Sequence, residues 1–179
     1  LAIIDTSESG HQPMESHSSR YVIVYNGEIY NHLNLRKEIN QLSNHSIEWI
    51  GTSDTETLAV AFDFFGIKKT LKKCIGMFAI AIWDKKSEVL TLARDRIGEK
   101  PLYYGWVNNS FVFGSELKAI KQFPDFSNKI SRLALVNYLH LNYVPAPLSI
   151  YDNLFKLTPG SIIDFNTNQS YAQLPEPQP

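Results

Sequence analysis

The chain has 179 residues, 44% of them hydrophobic, 12% aromatic and 20% charged, enough for one domain that buries roughly 70% of its unfolded surface. Seventeen basic residues against 18 acidic ones give a formal charge of −1, which argues against non-specific nucleic-acid binding. A single cysteine rules out an internal disulfide and fits a reducing cytoplasm, while no apolar run approaches the ~20 residues of a membrane span and no signal peptide is visible.

Along the chain, the first clear element is the apolar run Tyr21–Tyr25, a buried strand by pattern. It ends on Asn26-Gly27, a pair that favours a tight turn. The turn would leave Asn26, Gly27 and Glu28 together at a strand end. They offer a side-chain amide, an unhindered backbone N–H and a carboxylate. The first two can steady a developing oxyanion and the third can hold a cation. Read by itself, the same segment is equally a hairpin turn with a solvated glutamate.

Asn31 is placed to cap a helix carrying Leu33, Leu35, Ile39 and Leu42. A short extended piece at Glu48–Ile50 leads to Ser53-Asp54-Thr55-Glu56, a capping box in which Ser53 and Glu56 satisfy free N–H groups. Leu58, Ala61, Phe62 and Phe65 mark one face of the helix that follows, and Gly66 stops it. Residues 76–84 are apolar on both faces, so this strand should be covered on both sides. A turn at Lys85–Ser87 leads to a strand at Val89–Ala93, and strands at Leu102–Val107 and Phe111–Gly114 form a hairpin about Asn108-Asn109. Helices are expected at Glu116–Gln122 and, capped by Ser131, as far as Leu141. Val144–Pro147 is an extended connector, Ser161–Phe165 a last strand, and 175–179 a linker or tail. Strands with two apolar faces plus helices make an α+β fold of two packed sheets covered by helices.

Several motifs stand in a telling order. They are Leu1-Ala2-Ile3-Ile4-Asp5, Gly10-His11-Gln12-Pro13-Met14, the Tyr25–Asn31 segment and Ser53-Asp54-Thr55-Glu56. After them come Gly76–Asp84, Ala93–Tyr104, Gly114-Ser115-Glu116-Leu117-Lys118-Ala119 and Leu157-Thr158-Pro159-Gly160. The set closely resembles the glutaminase domain of glutamine-hydrolysing asparagine synthetases, over nearly the whole chain to about Phe165. The resemblance implies the four-layer αββα sandwich of N-terminal-nucleophile hydrolases, here without its first strand, with residues 1–174 as the domain.

That family uses an N-terminal cysteine as nucleophile. The chain begins at Leu1 and lacks it, so the resemblance implies a truncated domain that is inactive by itself. It assigns the Asn26 amide and the Gly27 N–H to the oxyanion hole, and Glu28 and Asp54 to the ammonium group of L-glutamine. The main chain around Leu1 and Ile4 would line the pocket. It also implies a C-terminal synthetase domain that uses ATP and magnesium, with no cofactor in this domain. A homodimer and a carboxylate acceptor other than aspartate both stay open. So does a domain that only senses glutamine or supports assembly.

Other residues read as structural. Asp54, without the resemblance, is a helix-start acid favoured by the helix dipole. Cys74 is internal and enters an apolar strand, so it is a packed thiol rather than a nucleophile. Arg94-Asp95-Arg96 alternate in sign, which favours mutual pairing. The histidines His11, His17, His32, His45 and His140 show no metal spacing. Tyr103, Tyr104, Trp106, Phe111 and Phe113 alternate along strands and belong to the core.

Overall fold

The computed structural model describes residue 5 and residues 7–43 and 47–166. Leu1, Ile4 and the tail at 175–179 lie outside the described residues. Among the described residues the strands form two antiparallel sheets. The larger has the order β1 (Met14–Glu15), β2 (Tyr21–Ile29), β3 (Gly76–Asp84), β4 (Val89–Arg94) and β8 (Ile162–Asn166). The smaller has the order β6 (Ser110–Gly114), β5 (Tyr103–Val107) and β7 (Leu154–Lys156).

Side-chain alternation sorts these sheets into layers. On one face of the larger sheet, Ile23, Tyr25, Phe78, Ile80 and Ile82 pack against Leu35, Leu58, Phe62 and Leu71. Those last four come from α1 (His32–Leu42), α2 (Asp54–Phe65) and α3 (Ile67–Lys73). On its other face, Ala79, Ala81, Leu92 and Ile163 meet Tyr104, Phe113 and Phe155 of the smaller sheet. The outer face of that sheet carries Val107, Val112 and Leu154 against Ile120 of the short helix α4 (Leu117–Ile120). The order is therefore helix, sheet, sheet, helix, as expected. Ile23, Ile80, Ile82, Leu58 and Phe62 are at most 1% exposed, and each contributes about 1.5–3 kcal/mol by burial.

Several expectations are corrected. Asn26-Gly27 makes no turn: both lie inside the nine-residue strand β2, opposite Ala79 and Phe78. Gly27 has no positive φ. It must be glycine because a Cβ there would run into Met77 O and lie 2.7 Å from Phe78 Cα. The Asn31 side chain does not cap α1. It bridges the start of β3 instead, donating to Lys73 O at 2.9 Å and accepting from the Ile75 N–H at 2.8 Å. The piece at 48–50 joins neither sheet. Helix α3 and strands β1 and β7 were not read from the sequence. Helix α5 (Arg132–Leu141), capped by Ser131 as expected, turns Leu133, Val136 and Leu139 outward at 60, 62 and 73% exposure.

Arg94, Asp95 and Arg96 do not pair with one another. Arg94 donates to three carbonyls, Lys100 O, Leu157 O and Gly98 O, and Arg96 to Cys74 O and Lys72 O. Asp95 Oδ1 accepts the N–H groups of Ile97, Gly98 and Glu99, and Oδ2 those of Phe78 and Lys100. Burial would raise the Asp95 carboxyl, but these backbone donors outweigh it and hold it below its ordinary value. The stretch is a backbone clamp at the end of β4. The turn it forms holds Phe78, directly opposite Gly27.

Candidate active site

The strand-pairing parity fixes what β2 can offer. Phe78 exchanges hydrogen bonds with Asp95, taking the Asp95 N–H at 2.8 Å, so Phe78 turns its polar groups away from Gly27. In an antiparallel pair that makes Gly27 and Phe78 a non-hydrogen-bonded pair. The N–H groups of Tyr25, Gly27 and Ile29 therefore point to the opposite edge of β2. Strand β1 covers that edge only as far as Ile23. Beyond it, the Tyr25 N–H donates to Gln12 Oε1 at 2.6 Å and the Ile29 N–H to Asp54 Oδ2 at 2.9 Å. Between them, the Gly27 N–H makes no hydrogen bond to any described residue. Among the described residues, then, the Gly27 N–H is an unpartnered donor between two capped ones.

The side chains sort by face. By strand alternation Asn26 and Glu28 share one face of β2, where Asn26 meets the smaller sheet, while Tyr25 and Ile29 pack on the helix side. Asn26 Nδ2 donates to Ser115 Oγ at 3.0 Å. The two residues line a cavity of about 90 Å3 together with Val24, Ala79, Ala81 and Leu102. The carboxylate of half-buried Glu28 has no hydrogen bond or ion pair to a described residue.

Asp54 is on the helix side. It is buried, at 5% exposure, in the first turn of α2. Its Oδ2 takes both the Ile29 N–H and the Tyr25 hydroxyl, the latter at 2.7 Å. Burial, and then the Asp54 charge, push the Tyr25 hydroxyl pKa well above its ordinary value. His32, at the start of α1, is lowered by burial, and Asp54 and Glu28 partly offset this. Its Nδ1 is buried without a hydrogen-bond partner among the described residues.

The loop before α2 is tied down separately. Ser53 Oγ accepts the Glu56 N–H as a cap, but the Glu56 carboxylate does not return the bond in the first turn. It takes the N–H groups of Ile50 and Gly51 and the Arg36 guanidinium. Arg36 also donates to Thr57 Oγ1, Gly51 O and Ser53 O and lies over the Trp49 ring at 4.1 Å. The Thr52 N–H reaches Asp5 Oδ2 at 2.9 Å. That contact sets the start of the described chain beside the first turn of α2.

Cys74 is buried and its thiol donates to Thr70 O at 3.1 Å. Burial pushes it up to about 12, so it holds no thiolate at neutral pH.

Of the residues expected at the site, Asn26 and Gly27 are adjacent on β2, and Glu28 follows on the Asn26 face. Asp54 joins the same strand from the other side, through Ile29. Leu1 and Ile4 lie outside the described residues. Gln12, Tyr25, Ser115 and His32 were not assigned from the sequence. Each lies in or beside a recognised motif, and only contacts across the fold reveal its part.

A family model described as the glutamine amidotransferase domain matches residues 1–174. The chain belongs to that family. It is 36% identical to asparagine synthetase (glutamine-hydrolyzing) 3 of Bacillus subtilis over 93% of its own length. It is 37% identical to asparagine synthetase (glutamine-hydrolyzing) 1 of the same organism over 90%. The chain spans only 27% and 24% of these two relatives. In fold, this amidotransferase domain resembles the glutamine phosphoribosylpyrophosphate amidotransferase of B. subtilis, with a TM-score of 0.62 at 20% identity. That match covers 97% of this chain and 33% of the other. No helix among the described residues is long and apolar enough to cross a membrane.

Proposed function

We propose that this amidotransferase domain hydrolyses L-glutamine and supplies the ammonia to an ATP-dependent synthetase domain of a longer protein, which amidates aspartate. The observation that carries the reading is the open Gly27 N–H, framed by the capped N–H groups of Tyr25 and Ile29 and adjoining the Asn26 amide. Two neighbouring donors of this kind suit the oxyanion of a tetrahedral intermediate. Glu28 and Asp54 offer carboxylates for the substrate's ammonium group. The nucleophile in this reading is an N-terminal cysteine of the longer protein, since Cys74 is buried and protonated. ATP and magnesium belong to the synthetase domain. The names of the relatives favour aspartate as acceptor, and the unpaired, buried cysteine fits a cytoplasmic location.

The test is to incubate the complete protein with ATP, magnesium, aspartate and amide-labelled glutamine. Amide-labelled asparagine and unlabelled glutamate are expected in equal amounts, and the 179-residue chain by itself should release no ammonia from glutamine. Glutamine left intact by the complete protein would overturn the reading.

A further inference from the structure

We propose that Ser115 is a positioning residue that aims the Asn26 amide at the oxyanion; this rests on the reading of Asn26 as an oxyanion donor. Ser115 lies just past the end of β6, in the smaller sheet, 89 residues along the chain from Asn26. Its hydroxyl accepts Asn26 Nδ2–H at 3.0 Å, a bond that crosses from one sheet to the other.

Asn26 needs such a partner. The last torsion of an asparagine side chain is broad and weakly defined. The neighbours of Asn26 on this face, Ala79 opposite it and Ala81 beyond, are small and leave the cavity of about 90 Å3. Leu102 and Phe113 complete an apolar lining, so among the described residues only Ser115 offers the amide a hydrogen bond. The carboxamide carries two N–H donors in one rigid plane. A hydroxyl that accepts one of them fixes the direction of the other. The bond fixes the plane of the amide and so the line along which its second N–H points. A neutral acceptor suits this role, because it orients the donor without adding a charge that competes with the oxyanion for the same group.

Pre-aiming matters because an oxyanion donor acts only if it is in place when the charge develops. Ser115 should thus affect turnover more than substrate binding. It also links turnover to the smaller sheet, whose Phe113 and Gly114 line the same cavity.

The experiment measures glutamine hydrolysis by the complete protein in four variants, with Tm recorded for each. Ser115→Ala is expected to lower kcat about ten-fold, less than the 10²–10³ lost with the donor itself in Asn26→Ala. KM should change less than two-fold, by roughly the margin that separates a kcat effect from uniform binding. Ser115→Thr, which keeps the hydroxyl, should restore most of the rate. The double variant Asn26→Ala/Ser115→Ala should be no slower than Asn26→Ala, since Ser115 acts through Asn26. Additive losses in the double variant, a Thr variant as slow as Ala, or a Ser115→Ala effect that falls on KM or Tm would each overturn the proposal. Normal turnover in Asn26→Ala would instead remove the oxyanion reading beneath it.

Discussion

The hydroxyl of Tyr25 donates to Asp54 Oδ2 at 2.7 Å, and the same oxygen takes the Ile29 N–H. One carboxylate thus ties the start of α2 to the far half of β2, on either side of Gly27. Asp54 is therefore more than a helix-start acid: its hydrogen bonds go to the strand that holds the candidate site.

Two variants separate its structural and binding parts. Tyr25→Phe removes one donor to a buried carboxylate and should cost about 2 kcal/mol, or roughly 4–8 °C in Tm. Its glutamine affinity should stay near wild type. Asp54→Asn keeps the shape but loses the charge, and should weaken glutamine binding about ten- to a hundred-fold. Calorimetric titration of the complete protein checks both, and equal affinities in the two variants would take Asp54 out of the binding role.

Gly27→Ala tests the packing of β2 on β3. The added methyl meets Met77 O and Phe78 Cα, which are backbone atoms and cannot swing away. The loss should be about 3 kcal/mol or more, read as a lower denaturation midpoint in urea. A variant as stable as wild type would mean that the two strands separate more easily than their register implies.

Asp95→Asn should destabilise by about 3 kcal/mol, because an amide presents N–H groups to backbone donors that need an acceptor. The pH dependence has a definite sign. Asp95 is depressed in the folded chain, so its stabilisation is present above the ordinary carboxylate pKa and is lost as pH falls through the folded value. Wild type should therefore lose stability below about pH 4 more steeply than Asp95→Asn. Chemical denaturation at a series of pH values measures the difference.

Cys74 predicts the opposite limb. Its folded pKa is about 12 against an ordinary 9.0. Its contribution is therefore complete below pH 9 and declines as pH rises toward the folded value, by about 1.36 kcal/mol per pH unit. Cys74→Ala should show a shallower decline between pH 9 and 10, below the range where Tyr25 begins to add its own loss. In the native chain at pH 8 the thiol should not react with a disulfide reagent. Rapid labelling before unfolding would contradict its burial.

Much of the fold is legible in the chain. The strand Gly76–Asp84 is written in a run apolar on both faces, and α2 in its Ser53 cap, apolar stripe and terminal Gly66. The Asn26-Gly27 pair misled, because local turn preference competed with a nine-residue strand. What won was the close approach of Met77 and Phe78, which a sequence does not display. Asn31, Glu56 and Arg94 misled similarly. Each is suited to a local partner but bonds to backbone brought near by tertiary packing. At the site, Asn26, Gly27, Glu28 and Asp54 are marked by motif. Ser115 is 89 residues from the group it touches, so no local pattern connects the two. The outward apolar side chains of α5 were also invisible, since a stripe such as Leu133, Val136 and Leu139 reads like any buried one.

The clamp around Asp95 is read by main chain rather than by side chains. Every donor it receives between Ile97 and Lys100 is a peptide N–H, and the Ile97 side chain is 78% exposed. The Asp95 bonds at 97, 99 and 100 thus ask for a peptide N–H and nothing of the side chain. Proline is the exception, since it deletes the donor, and the row of donors stops where Pro101 begins. Position 98 is held to glycine by its φ of 77°. The shape of the turn behind Gly27 thus rests on one carboxylate and a row of peptide groups.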